Sequence, residues 1–441
     1  MPKQNLMKKF STLTLVVIAL IGATTLHAQT LVYITGSTAY RSATENAILH
    51  IYDATPAVQI AFQNNSATFQ GANQSIFVGN IGGVAVNVHT SWSGSEAGIQ
   101  TVADPAQTVN FLPDSTCPTN CSANPGTSVA AGTDAHHPDV AMSDTFQSTS
   151  QFNGIFRGVT YGALSEAAGT VAGQGSPVGI VPFKWCASAG APFTDITSQL
   201  VRALYGTGKL PLALFTGNNA DETKPVVALG RNPDSGTRLT SFAETGFGAL
   251  HVVKQYQPQD SAGALVKTTA GTISKFVAWP AETINGVPVG IFNSGYSSGG
   301  DLSKAMRAVT TDPVTITATS YPAANVTRVA YLGTSDADSN LLSGAPPPAL
   351  GVELSYNGVL LGIPVAPNTY NNVTALTEGQ YTFWGYEHVL YNTATIAAAV
   401  KTVADTLTTQ LHNVDAVVLL SNMQVSRTTD GSTVTNTYAT P

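Results

Sequence analysis

The sequence predicts an α/β protein with a mostly parallel sheet. Three observations carry that prediction. Apolar, β-branched runs alternate along the chain with runs of helical spacing. One local grammar, a strand that ends in Gly and Ser or Thr and opens a helix, appears three times. Charged residues are only 10% of the chain while apolar residues reach 43%, enough for sizeable cores.

The elements follow in order. Leu31-Val-Tyr-Ile-Thr35 reads as a strand, Gly36-Ser37-Thr38 as a turn, and Ala39 to Ile51 as a helix. Gly83-Val-Ala-Val-Asn-Val-His89 is the second strand, followed by Ser93-Gly94-Ser95 and a helix start at Glu96-Ala-Gly-Ile99. Asp139-Val-Ala-Met-Ser-Asp144 is a short strand that ends in a carboxylate, and Val178-Gly-Ile-Val-Pro-Phe183 is another. Ile196 to Tyr205 has helical spacing, with Leu200, Val201 and Leu204 on one face. The third copy of the grammar joins Val226-Val-Ala-Leu-Gly230 to a helical pattern of Leu239, Phe242, Phe247 and Leu250. Arg328-Val-Ala-Tyr-Leu332 reads as a strand and Thr395 to Leu411 as a long amphipathic helix. Residues 104–138, rich in Pro, Thr, Ser, Asn and Gly, read as a long surface insertion.

The first 28 residues read as a signal peptide. Lys3, Lys8 and Lys9 precede an apolar stretch, Leu13 to Ala23, too short to span a bilayer, and Leu26-His27-Ala28 ends in a small residue. No cysteine follows for a lipid anchor, so the expected location is periplasmic or secreted. Removing those three lysines takes the net charge from −7 to −10. That balance argues against nucleic acid as a partner and leaves no basic field to gather anions. In an oxidising compartment Cys117 and Cys121 are expected to form a small disulfide loop, leaving Cys186 as a buried apolar residue. No cofactor or metal site is expected. The spacing of Cys117 and Cys121 to His136-His137 matches no standard zinc site.

The chemistry concentrates in Arg231-Asn-Pro-Asp-Ser-Gly-Thr237. An arginine there stands beside a helix start, where Ser235, Gly236 and Thr237 offer backbone N–H groups and hydroxyls. A helix N-terminus carries partial positive charge and unpaired donors, and guanidinium adds a planar fork that fits a tetrahedral anion. Ser37 and Thr38 read either as caps of the first helix or as anion contacts, and Ser95 likewise at the second. Asp144 reads as an acceptor for a protonated ligand oxygen or as a helix cap.

Together these residues resemble the phosphate-binding protein of bacterial phosphate ABC importers, a type II periplasmic binding protein. The resemblance rests on Gly36-Ser37-Thr38-Ala39, on Gly94-Ser95-Glu96-Ala97-Gly98, on Ser143-Asp144, and on Arg231 to Thr237, in the family's order. Two departures stand out: Ala39 where the family has an aromatic residue, and Pro233 where it often has an acid that orients the arginine. The resemblance implies two α/β lobes joined by a hinge, with the ligand in the cleft between them. Lobe 1 would hold 29–150 and 333–441, with the insertion at 104–138, and lobe 2 would hold 151–332. Phosphate or a related oxyanion would meet Ser37, Thr38, Ala39, Ser95, Asp144, Arg231, Ser235, Gly236 and Thr237. An importer permease would be the partner of a monomeric, non-catalytic binding protein without stable membrane insertion.

Two other readings use the same chain. Gly295-Tyr-Ser297-Ser-Gly299, with Asp336 and His388 downstream, matches the order of a serine esterase. A surface or adhesion module that has lost transport would share the scaffold.

Overall fold

A computed structural model of the chain describes residues 29–117, 121–172, 175–284, 287–342, 351–362, 364–366, 369–370 and 372–436. The expected signal peptide lies outside the described residues. Among them no helix is long and apolar enough to cross a membrane.

Strand β1 (Thr30–Gly36) is followed by helix α1 (Arg41–Ile51), which buries Ala43, Thr44, Ala47 and Ile48 at helical spacing. A meander follows: β2 (Gln59–Gln63), β3 (Gln74–Ile81) and β4 (Val84–Ser91). Gly82 and Gly83 join β3 to β4 with φ of 58° and 80°, the left-handed pair that a two-residue hairpin turn requires. Helix α2 (Ser95–Ala103) leads through the insertion to β5 (Val140–Ser143). Next come β6 (Gly179–Ala187), α3 (Ser198–Thr207), β7 (Lys209–Pro211), β8 (Pro225–Ala228) and α4 (Gly236–Glu244). Strands β9 (Tyr256–Gln259) and β10 (Thr272–Ala278) lead to α5 (Gly299–Arg307). Then follow β11 (Val309–Ile316), β12 (Thr319–Tyr321), β13 (Thr327–Gly333), the short α6 (Thr334–Ala337) and β14 (Val352–Tyr356). Strand β15 (Trp384–Tyr391) and helix α7 (Ala398–Gln410) complete the larger elements.

The main sheet runs β7-β8-β13-β6-β15-β5-β1-β4-β3-β2, with β14 also on β6, and β9-β10-β11-β12 form a second sheet. The α/β class is as predicted, but the sheet is mixed rather than mostly parallel. Pairs β1/β4, β1/β5 and β8/β13 are parallel; β1, β4 and β8 lead into α1, α2 and α4, and β5 ends just before Asp144. Short hairpins make β2, β3 and β4 antiparallel, and β6 and β15 run against their neighbours.

Strands β6 and β15 join the two halves. The first residues of β6, 179–182, pair with β15, and its last, 183–187, pair with β13. All nine residues of β6 are buried, the pattern of a strand covered on both faces. Its Lys184 is held by Asp338 (2.6 Å) and Glu353 (3.2 Å). Trp185 stacks on Phe383 at 5.3 Å and meets Tyr331 edge-on at 5.6 Å, so aromatic contacts tie the junction together. The halves therefore divide at β6 and β15. Residues 333–383, expected with the first lobe, contribute β14 to the second half, and 151–178, expected with the second, pack on α2 and β15 through Phe152, Tyr161 and Ser165.

Other expectations were corrected by local geometry. Helix α4 ends at Glu244 because Gly246 and Gly248 adopt φ of 67° and 109°, which leaves Leu250 outside it and exposed. The insertion is more than a loop: Val109–Phe111 pairs with Asp134–His136, and Ser122–Ala123 and Thr127–Val129 cover the free edge of β2. Cys117 and Cys121 are bonded with Cα atoms 4.9 Å apart, and Cys186 is a free, fully buried thiol.

Candidate functional site

Four helix starts meet where the halves of the sheet face each other. At the first, the chain turns sharply after β1. Gly36 has φ 123°, and a Cβ there would lie 2.0 Å from the Met142 carbonyl oxygen, so only glycine fits. The Ser37 amide donates to that carbonyl at 2.8 Å, and the Ser37 hydroxyl accepts the Tyr40 amide, which closes the turn before α1. Gly98 of α2 sits against Gly36, where a Cβ would come within 2.8 Å of the Gly36 Cα, so α2 lies close on the end of β1. Ser235 caps α4 by accepting the Arg238 amide, and Ser298 caps α5 by accepting the Asp301 amide.

The structure brings Ser95, Asp144, Gly236 and Thr237 into direct contact across the seam. Both hydroxyls donate to the Asp144 carboxylate, Ser95 to Oδ1 through a short bond and Thr237 to Oδ2 at 3.2 Å. Gly236 is obligatory at this contact, since a Cβ would fall 1.7 Å from Asp144 Oδ1. The amides of Glu96 and Ala97 at the start of α2 donate to the Asp234 carbonyl at 3.0 and 3.3 Å. The Ser95 and Thr237 hydroxyls and the Glu96 and Ala97 amides are therefore engaged by the protein itself. Burial raises the Asp144 pKa, opposed by the Ser95 bond and by the nearby Arg231 charge.

Arg231 is 2% exposed and held on every side. Its amide donates to the Tyr331 hydroxyl, and its carbonyl accepts from Gln255 Nε2 and Arg238 Nη1. Its side chain donates from Nε to the Tyr296 carbonyl at 3.0 Å and from Nη2 to the Ser297 carbonyl at 2.9 Å. The remaining nitrogen, Nη1, lies over Gly299 beside the Asp336 carboxylate. A planar fork fixed on one edge by backbone carbonyls thus presents its other edge to the start of α5.

Beyond Asp336 lies a cavity of about 580 Å³ between the halves. Thr38 and Arg41 of the first half and Ser298, Gly300, Lys304 and Asp336 of the second line it. Ala39 is buried against Gly333, whose added Cβ would come within 3.0 Å of the Ala39 Cβ, so the small residue suits the close approach of α1 to the end of β13. Two further carboxyls sit behind the seam. Glu387 is buried near Ser37 and Asp144 with neither oxygen hydrogen-bonded, and burial drives its pKa well up. Glu96 accepts from Thr145 and Ser150, and burial raises its pKa to about 8 despite those bonds.

Among the expected contacts, then, Thr38 lines the cavity, Arg231 lies behind Asp336, which lines it, Ser37 closes the turn after β1, and Ser235 caps α4. Ser95, Asp144, Gly236 and Thr237 meet one another. Sequence reasoning missed Arg41, Lys304 and the clamp of Tyr331 and Gln255 on Arg231. The sequence offers Asp336 as part of an esterase triad or of a turn resembling the start of a calcium loop, and not as a cavity wall. That triad is not assembled. His388 bonds to Glu166 at 3.0 Å and packs on Phe146, while exposed Ser297 follows a turn at Phe292 rather than a strand. Among the described residues no group of three or more potential ligands could hold a metal ion.

No family model matches the chain, and no curated protein matches it. Solved structures do. The chain is similar to a candidate phosphate ABC transporter substrate-binding protein with bound phosphate from Clostridium perfringens, at 12% identity and a TM-score of 0.44, covering 88% of this chain and 99% of that one. It is also similar to an ABC-type phosphate transport receptor from Vibrio cholerae, at 10% identity and a TM-score of 0.38, covering 86% and 93%. A third similar structure is PstS from Borrelia burgdorferi, at 12% identity and a TM-score of 0.31, covering 85% and 92%.

Proposed function

We propose that the protein is an exported solute-binding protein that captures phosphate or a related oxyanion between the two halves of its sheet. One observation carries the reading. Arg231 is buried and immobilised by backbone carbonyls, and its remaining nitrogen lies at the start of α5 beside Asp336, a residue that lines a polar cavity. An arginine kept charged in such a place is arranged for an anion. In this reading Thr38, Arg231 and the α5 start form the socket. Ser95, Asp144, Gly236 and Thr237 form a latch that closes the halves over it, and Ser235 holds the start of α4. Separation of the halves would admit the ligand, and closure would exclude water. Delivery to an ABC importer and export to the periplasm or beyond follow from the resemblance and the leader-like start of the sequence.

Isothermal titration calorimetry of the chain from Gln29 onward, against phosphate, sulfate and arsenate, tests the proposal. Saturable heat with at least one of them at millimolar concentration or below is the expected result. No heat with any of the three overturns it.

A further inference from the structure

The cavity is large for a bare oxyanion. Pockets of about 300–1,000 Å³ hold small organic molecules, and this one is about 580 Å³. A tetrahedral ion would fill a small part of it. Its walls are also more varied than an ion needs. Arg41 stands on the first half and Lys304 on the second, both lining the same space. Among the described residues the lysine and arginine ion pairs belong to Lys184, Lys224, Lys401 and Arg427, and include neither of them. Arg41 is steadied by a neutral partner, donating from Nη1 to Asn73 Oδ1 at 3.0 Å, and its charge and that of Lys304 both act on the Asp336 carboxylate. Two cations on facing walls, neither in a salt bridge among the described residues, offer an anion two contacts.

The rest of the wall calls for hydroxyls. Asn65, Gln70 and Asn73 on the loop after β2 put amide groups on the first-half side. On the other side Asp336 is 6% exposed, and among the described residues its carboxylate takes no hydrogen bond or ion pair, although it lies over Gly299 and Gly300. A buried carboxylate without a donor is costly, and a ligand that brings one relieves the cost. Inorganic phosphate has at most a proton or two to give at neutral pH and leaves most of the cavity wall unmet. A molecule with an anionic end and several hydroxyls satisfies both walls at once.

We propose that the ligand is a phosphate monoester of a small polyhydroxy compound. Its phosphate sits among Arg41, Lys304, Arg231 and the start of α5, and its hydroxyls donate to Asp336 and bond the amides of the Asn65–Asn73 loop. This proposal rests on the oxyanion reading and narrows it.

The test is calorimetry of the chain from Gln29 with glycerol 3-phosphate, ribose 5-phosphate, glucose 6-phosphate, orthophosphate and unphosphorylated glucose. At least one ester is expected to bind tenfold or more tighter than orthophosphate and than glucose. Arg41→Ala and Lys304→Ala, at half-buried positions where folding should persist, are each expected to weaken that ester by tenfold or more. Gln70→Ala is expected to weaken the ester and leave orthophosphate unchanged. If orthophosphate binds as tightly as every ester, the ester proposal falls and the oxyanion reading stands. If glucose binds as tightly as its phosphate, or nothing binds, both fall. Circular dichroism of each variant separates lost binding from lost structure.

Discussion

Replacing Gly236 with alanine sets two physical effects against each other. Gly236 is the first residue of α4, where alanine is a better helix former by about 0.5–1 kcal/mol. Helix propensity alone therefore predicts a more stable protein. Packing predicts the reverse, because the new Cβ would stand 1.7 Å from Asp144 Oδ1 and 2.7 Å from the Ser95 Cβ. The seam must part by an ångström or more to admit it. Overpacking of that kind costs about 1–3 kcal/mol. Parting also loosens the bonds from Ser95 and Thr237 to the Asp144 carboxylate, and hydrogen bonds to charged groups contribute about 1.5–3 kcal/mol each. The net expectation is destabilisation by about 2–4 kcal/mol, read from the midpoint of urea unfolding followed by circular dichroism. Small-angle scattering should show a larger radius as the halves separate. A Gly236→Ala protein as stable as the parent, or more so, would refute the direct contact between the halves at Asp144.

Other consequences are independent of that one. Tyr331→Phe removes the hydroxyl that accepts the Arg231 amide and donates to Gln255 Oε1; it should cost about 1–2 kcal/mol in unfolding experiments and weaken oxyanion binding. The Glu96 carboxyl titrates near 8 in the folded protein against about 4.5 unfolded, so its contribution to stability is fully present below pH 4.5 and is lost as pH rises through 8. Glu96→Gln should therefore flatten the fall in melting temperature between pH 5 and 8, an effect on the order of a few kcal/mol; an unchanged slope would show that Glu96 is ionised throughout. Reduction of the Cys117–Cys121 disulfide, which closes a short loop at the sheet edge, should lower stability by about 2 kcal/mol without changing ligand affinity.

The helix starts were legible in the sequence because their signals are local. Gly36-Ser37, Gly94-Ser95 and Ser235-Gly236 each place a turn within a few residues of a helix start, and Ser235 also caps its helix. Arg231 was legible for the same reason. What those residues touch was not. Ser95 meets Asp144 across 49 positions and Thr237 meets Asp144 across 93, and nothing local records that they meet. The cavity cations, Arg41 and Lys304, look like ordinary surface residues of amphipathic helices until the halves are assembled. Asp336 carried a false lead, since Ser–Asp–His order is a pattern in one dimension and His388 is held elsewhere by Glu166. The mixed sheet shows a similar limit. Strand and helix runs could be read, but the antiparallel course of β6 and β15 is a property of pairing.

The measurement that bears most directly on the central claim is the phosphate titration of Arg231→Ala beside the unaltered chain. Loss of a charge-assisted, forked contact is expected to weaken binding by roughly ten- to hundredfold or abolish it, with the far-ultraviolet circular dichroism of a folded protein retained. Undiminished affinity for phosphate in a folded Arg231→Ala protein would contradict the account, because the anion would then be held by something other than the arginine around which the cleft is built.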